Sequence, residues 1–162
     1  MIPSPLRLES HFFTKIALDI CPEVCDDPGE GRLDANCDCQ NHESEWAKWM
    51  VNLKVRQVAD DERGCPVYTF DMQVVGFFEV DSGYPAEKAE QMVRANGPAV
   101  LYGTIREMVA TLTARGPFPM VTLPSVTFID EAKLSSYPNK PKHKKVASSV
   151  KSPKSKSVNK RS

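Results

Sequence analysis

The chain is predicted to adopt an α+β fold in one domain, and three observations predict it. Stretches of two-residue alternation fill the first half, and a helical periodicity between Pro98 and Gly116 follows them. The third is that 41% hydrophobic residues in a chain of 162 suffice for a domain-sized core. No run reaches the ~18 apolar residues of a membrane span, and residues 1–10 lack the charged-then-apolar pattern of an export signal. A cytoplasmic location without membrane insertion is expected.

Residues 1–10, with Pro3 and Pro5, read as a mobile N-terminus. A first strand is predicted over 11–20, where Phe12, Ile16, Leu18 and Ile20 fall on alternate positions and imply one covered face. Residues 21–45 break every period with Pro, Gly, Asp and Asn and hold four of the five cysteines, so they read as a long loop insertion. Order resumes over 46–58, where Val51, Leu53 and Val55 alternate with Asn52, Lys54 and Arg56. Turn composition at 60–64 leads into a strand over 67–80 carrying Tyr68, Phe70, Met72 and Val74, and the two strands are predicted to pair as a hairpin. Gly76 interrupts the alternation and marks a bulge or bend.

Pro85 can start a short helix to Ala95, which Asn96-Gly97-Pro98 is expected to interrupt. Pro98 then opens the main helix of about sixteen residues, and Gly116-Pro117 closes it. Leu101, Ile105, Met108 and Leu112 form one apolar strip, with Ala99, Tyr102 and Val109 beside it. A helix apolar on two sides is expected to be covered on both, so the second strip is read as an oligomer seam. Beyond it, Pro117, Pro119 and Pro124 deny regular pairing to a segment rich in apolar residues, which must therefore be buried or serve as a binding surface. One or two helical turns are expected over 129–135. The folded domain is thus read as 11–137, and the Lys, Pro and Ser composition of 138–162 as a disordered tail.

A formal charge of zero conceals an asymmetry. Residues 1–137 hold 12 bases against all 21 acids, a net of −9, while the other 9 bases lie from Lys140 onward. The basic tail has no interleaved aromatics to stack on bases, so nucleic-acid binding is not expected. Thiolates at Cys21, Cys25, Cys37 and Cys39, near His42, are the ligand types of a structural zinc site, with free thiols as the alternative. Cys65, before Pro66, reads as a packing residue. No glycine-rich phosphate loop or HExxH motif occurs, and no enzyme activity or required cofactor is expected.

Residues Gly97-Pro98, Leu101-Tyr102, Arg106-Glu107, Ala114 to Pro119 and Leu123 to Phe128 carry a further signal: the chain resembles the bacterial protein-export chaperone family SecB. The resemblance implies a four-stranded antiparallel sheet, a long helix, a proline-rich connecting segment and a short C-terminal helix. It also implies a homotetramer built as a dimer of dimers, with the long helix in the seam. Family members hold unfolded preproteins in apolar grooves and pass them to the translocase ATPase SecA. By this resemblance, Phe77, Phe78, Phe118, Leu123, Val126 and Phe128 would bind client and Asp71 would contact the translocase. The competing expectation is an adaptor whose zinc-stapled loop and basic tail bind nucleic acid or a protein partner.

Overall fold

Four strands form one antiparallel sheet, and a single long helix covers one of its faces. The computed structural model describes residues 3–21, 29–60 and 62–128. The elements are β1 (Leu6–Ile20), β2 (Arg32–His42), β3 (Glu45–Val58), β4 (Tyr68–Val80) and α1 (Ala86–Thr113), and the strand order is β1-β4-β3-β2. The predicted hairpin is β3 with β4, in a register that sets Val51 opposite Gly76 and Val55 opposite Met72. No described helix is long and apolar enough to cross a membrane.

Three sequence expectations are corrected here. The N-terminal strand begins at Leu6, so residues 6–10 are paired with β4 and not a mobile lead. The stretch read as a loop over 21–45 contains β2, which pairs with β3 from Arg32 to His42 and closes in a tight turn at Glu43-Ser44. The helix runs unbroken through Pro98 from Ala86. A mid-helix proline removes one intrahelical hydrogen bond, but the surrounding packing holds this one, with Gly97, Pro98 and Leu101 all buried. The short helix expected over 129–135 and the tail over 138–162 lie outside the described residues.

The core lies between the helix and the facing side chains of the sheet. Val51, Leu53 and Val55 of β3, and Phe70, Met72, Val74, Phe78 and Val80 of β4, meet Val93, Leu101, Ile105 and Val109 of α1. Gly76 is needed where these layers come closest, because a Cβ there would stand 2.7 Å from Leu101 Cδ2. That close approach accounts for the break in alternation, and the bulges lie across the ladder in β1 instead. They fall between Leu8 and Ser10 and between Phe13 and Lys15.

Because a strand has a side-chain period of two, the extra residue at Thr14 reverses the faces. Ile16 pairs with Met72 on the helix side, whereas Phe12 pairs with Val75 and turns to the opposite side. The single covered face predicted for β1 is therefore split at the bulge.

β1 and β2 occupy opposite edges, so their connection is a crossing, and its described ends are held to the connection between β3 and β4. Cys21 N donates to Val67 O at 3.0 Å, and Gly29 N donates to Cys65 O at 3.0 Å. A disulfide joins Cys21 to Cys65 across this crossing. Cys65 is thus a covalent tie, and its reading as plain packing is corrected.

Candidate functional site

Among the described residues, two apolar surfaces bear on peptide binding: the sheet face away from α1, and the segment after the helix. On the sheet, Phe12 and Phe77 are brought together by their strands, with ring centroids 6.2 Å apart and 51% and 40% of their surfaces exposed. Phe77 pairs with Met50 across the β4–β3 ladder, and Met50 with Gln40 across the next. A cleft of about 640 Å³ opens beside them, lined by Gln40, Lys48, Met50, Phe77 and Glu79 among others. An apolar floor with a charged rim can take an apolar side chain of a peptide while its backbone stays wet.

Phe78 also borders this cleft but presents almost no surface to it. The strand alternation turns it to the helix side, where it is only 2% exposed and part of the core, which corrects its assignment as a client-binding residue.

Residues 114–128 make no sheet ladder, and side chains satisfy their backbone instead. Tyr68 Oη accepts from Phe118 N at 3.2 Å, and Thr113 Oγ1 accepts from Val121 N at 3.0 Å. Arg106 Nε donates to Leu123 O at 3.1 Å, and Tyr102 Oη donates to Pro124 O at 2.9 Å. The segment is thereby fastened to helix and sheet at four points without regular structure. Gly116 contributes by absence: a Cβ there would lie 2.1 Å from Tyr68 Oη.

This fastening decides what the segment can offer. Leu123 is 3% exposed and sits in the core, so it too is corrected from client-binding to structural. Phe118 packs edge-on to Tyr68 and Phe128 edge-on to Tyr102, both half-buried, as is Val126. Met120, with 57% of its surface exposed, is the most available apolar side chain here. Phe12, Met50, Met120 and the anchors Tyr68, Arg106 and Thr113 were not singled out as site residues. For Phe12 and Met50 the signal lay in pairing register, which alternation within one strand does not reveal.

Asp71 lies on the open sheet face, where β1 and β3 bring a lysine to it from each side. Lys15 Nζ approaches its carboxylate to 2.7 Å and Lys54 Nζ to 3.6 Å. The hydrogen bond from Lys15 holds its pKa below the ordinary carboxylate value, against an opposing contribution from burial. A translocase contact at Asp71 would therefore meet a carboxylate already shared by two lysines.

The expected helix seam is also redrawn. Tyr102 and Val109 are buried against the sheet, and of the three residues assigned to the seam only Ala99 faces outward, beside Val100. The apolar strips merge into one broad buried face because the sheet beneath is wide enough to cover both.

Of the four cysteines expected to hold zinc, the three described ones do not converge. Cys21 is bonded to Cys65. Cys37 and Cys39 lie on β2, separated from β1 by both central strands, or about 14 Å at the usual strand spacing. Cys25 lies outside the described residues. Among the described residues, no group of three or more His, Cys, Asp or Glu side chains is placed to hold a metal.

The decisive comparison is with protein families. The model of the SecB family, described as preprotein translocase subunit SecB, matches residues 13–131. The chain belongs to the SecB family. Membership supports a chaperone-type function and fits the sheet-and-helix architecture. Among solved structures, the SecB-like chaperone Rv1957 of Mycobacterium tuberculosis, in complex with a ChAD peptide from the HigA1 antitoxin Rv1956, has the same fold. Its TM-score is 0.55 at 17% identity, over 75% of this chain and 87% of that one. The uncharacterized protein MJ0357 of Methanocaldococcus jannaschii is 29% identical over 120 residues, which are 72% of this chain and 76% of the relative.

Proposed function

We propose that this SecB-family chain is an ATP-independent holdase that binds unfolded polypeptide on the open face of its sheet. The observation that carries the reading is the exposed Phe12–Phe77 pair beside the Met50 cleft, a greasy surface that nothing in the described chain covers. Burial of apolar surface contributes about 25 cal/mol per Å² whatever the sequence of the client, so holding needs neither a bond-making step nor nucleotide. The peptide bound by the M. tuberculosis relative is consistent with an extended client. Passage of preproteins to the ATPase SecA, with Asp71 in that contact, belongs to the same proposal.

Several weak contacts on one particle add through effective concentration, and a homotetramer would supply them. Ile16 and Ile20 on the outer strand β1 and Val100 on α1 are exposed, and with Ala99 they are the residues we assign to a seam between copies. The adaptor reading draws no support from the comparisons, and among the described residues no cluster is placed to hold zinc. The test is suppression of aggregation of a reduced, unfolded client, followed by light scattering, together with molar mass in solution. Suppression at near-stoichiometric amounts by an oligomer supports the reading, and failure to suppress at a several-fold excess overturns it.

A further inference from the structure

We propose that the Cys21–Cys65 disulfide is a redox switch, opened by exchange with a dithiol, that decides whether the C-terminal half of β1 stays on the sheet. The bond joins the end of β1 to the connection between β3 and β4. Its two cysteines differ in access. Cys21 is 7% exposed, whereas Cys65 is half-buried and follows Glu62, Arg63 and Gly64, which are all exposed. An incoming thiolate therefore reaches Cys65 Sγ, with Cys21 as the leaving group.

The exchange balances in two steps. A thiolate of the dithiol bonds to Cys65 Sγ as the Cys21–Cys65 bond breaks, and Cys21 leaves as a thiolate that takes a proton from solvent. The second thiol of the reductant, after losing its own proton, bonds to the first, breaks the mixed disulfide and releases Cys65 as a thiolate, which is protonated in turn. Two electrons pass to the protein, and the dithiol becomes a disulfide.

What the bond restrains follows from the build of β1. The bulge at Thr14 divides the strand, and residues 15–20 pair with β4 from Lys15 opposite Gln73 to Ile20 opposite Tyr68. None of these residues is buried, and Ile16 and Ile20 are 50% and 45% exposed. The stretch is held by its ladder, by Lys15 on Asp71, by Cys21 N on Val67 O, and by the disulfide. An edge segment with no buried side chain opens at small cost. While the disulfide is closed, the Cα atoms of Cys21 and Cys65 stay 6.8 Å apart and both ends of the segment are pinned. Reduction frees one end, and residues 15–20 can peel from β4 as far as the bulge.

Peeling uncovers an edge of β4 that carries Tyr68, Phe70 and Met72, at present 3%, 3% and 0% exposed. A bare strand with large apolar side chains is a template for an extended chain. The reduced form thus gains a second place to hold unfolded polypeptide, a step that rests on the holdase reading above. Ile16 and Ile20 leave with the segment, so the seam assigned to them is weakened at the same time.

The experiment compares the oxidised full-length chain with the dithiothreitol-reduced one by hydrogen exchange and mass spectrometry. Reduction should speed exchange over residues 15–20 and 68–73 by about 10-fold or more and leave 101–109 of α1 unchanged. The Cys21→Ser/Cys65→Ser variant should exchange like the reduced chain without any reductant. A cysteine-free unfolded client should be held several-fold more tightly by the reduced chain, and the gain should persist in Phe12→Ser/Phe77→Ser. Failure of both redox forms of the native chain to hold client would overturn the holdase reading, and the exchange measurement would still decide the switch. The switch is overturned by a bond that dithiothreitol opens only in urea, by unchanged exchange over residues 15–20, or by exchange that rises equally in α1, where the disulfide would be a plain structural tie.

Discussion

Thr113 joins the helix to the segment that follows it. Its hydroxyl donates to Val109 O at 2.8 Å and accepts from Val121 N at 3.0 Å, and the residue is fully buried. Thr113→Val keeps the shape and leaves the Val121 N–H without a partner, at a cost of about 1–3 kcal/mol. Urea unfolding monitored by circular dichroism should show that loss, and an unchanged midpoint would mean that water replaces the hydroxyl. Asp71 makes a pH-dependent contribution. Its folded pKa lies below its ordinary value of 3.8, so protonation favours the unfolded chain. The contribution is complete above that value and is lost as pH falls through the lower folded one. The urea midpoint of the native chain should drop more steeply than that of Asp71→Asn between about pH 5 and pH 2. Parallel profiles would show that Lys15 does not hold the carboxylate. Neither role was legible in the sequence, because both depend on partners brought from remote strands or segments.

At the scale of elements, legibility tracked the strength of the apolar period. β3 and β4 alternate through Val51–Val55 and Tyr68–Val74 with large β-formers, and they emerge where the sequence places them. β2 carries only Leu33, Ala35, Cys37 and Cys39 on its inner face, amid Asp and Asn residues that favour turns. An edge strand with one neighbour tolerates that polarity, and its pairing with β3 overrides the local preference. Pro98 misled in the opposite sense, since packing against β3 and β4 outweighs one missing hydrogen bond. The crossing from β1 to β2 was illegible for lack of any period, yet a covalent bond secures it. Cys21 and Cys65 are 44 residues apart, and closing a loop of that length removes about 4 kcal/mol of unfolded-chain entropy in the simplest account. Reduction, or the Cys21→Ser/Cys65→Ser variant, should therefore lower stability by about 2–4 kcal/mol. A change below about 1 kcal/mol would mean that the hydrogen bonds of Cys21 and Gly29 to the β3–β4 connection suffice alone.

For the molecule as a whole, the sequence reading named Phe77, Phe118, Val126 and Phe128 alike as client-binding residues, and the structure leaves Phe77 on the open sheet face while it half-buries the other three. Proline-rich apolar chain reads alike whether it is free to bind or already fastened, and only the tertiary structure distinguishes the two. Phe118 and Phe128 are each engaged with a tyrosine that also anchors the segment, so replacing both should loosen the fold before it weakens client capture. Phe12 and Phe77 support little beyond each other. Their joint replacement by Ser should leave the unfolding midpoint within about 1 kcal/mol of native, because surface changes away from the core cost little. It should leave the molar mass unaltered while removing most of the suppression of client aggregation. The two double variants thus separate a binding face from a structural strap. Should Phe12→Ser/Phe77→Ser hold clients as well as the native chain, the open sheet face is not where they bind. Capture would then have to be assigned to Met120 and the outer side of the segment.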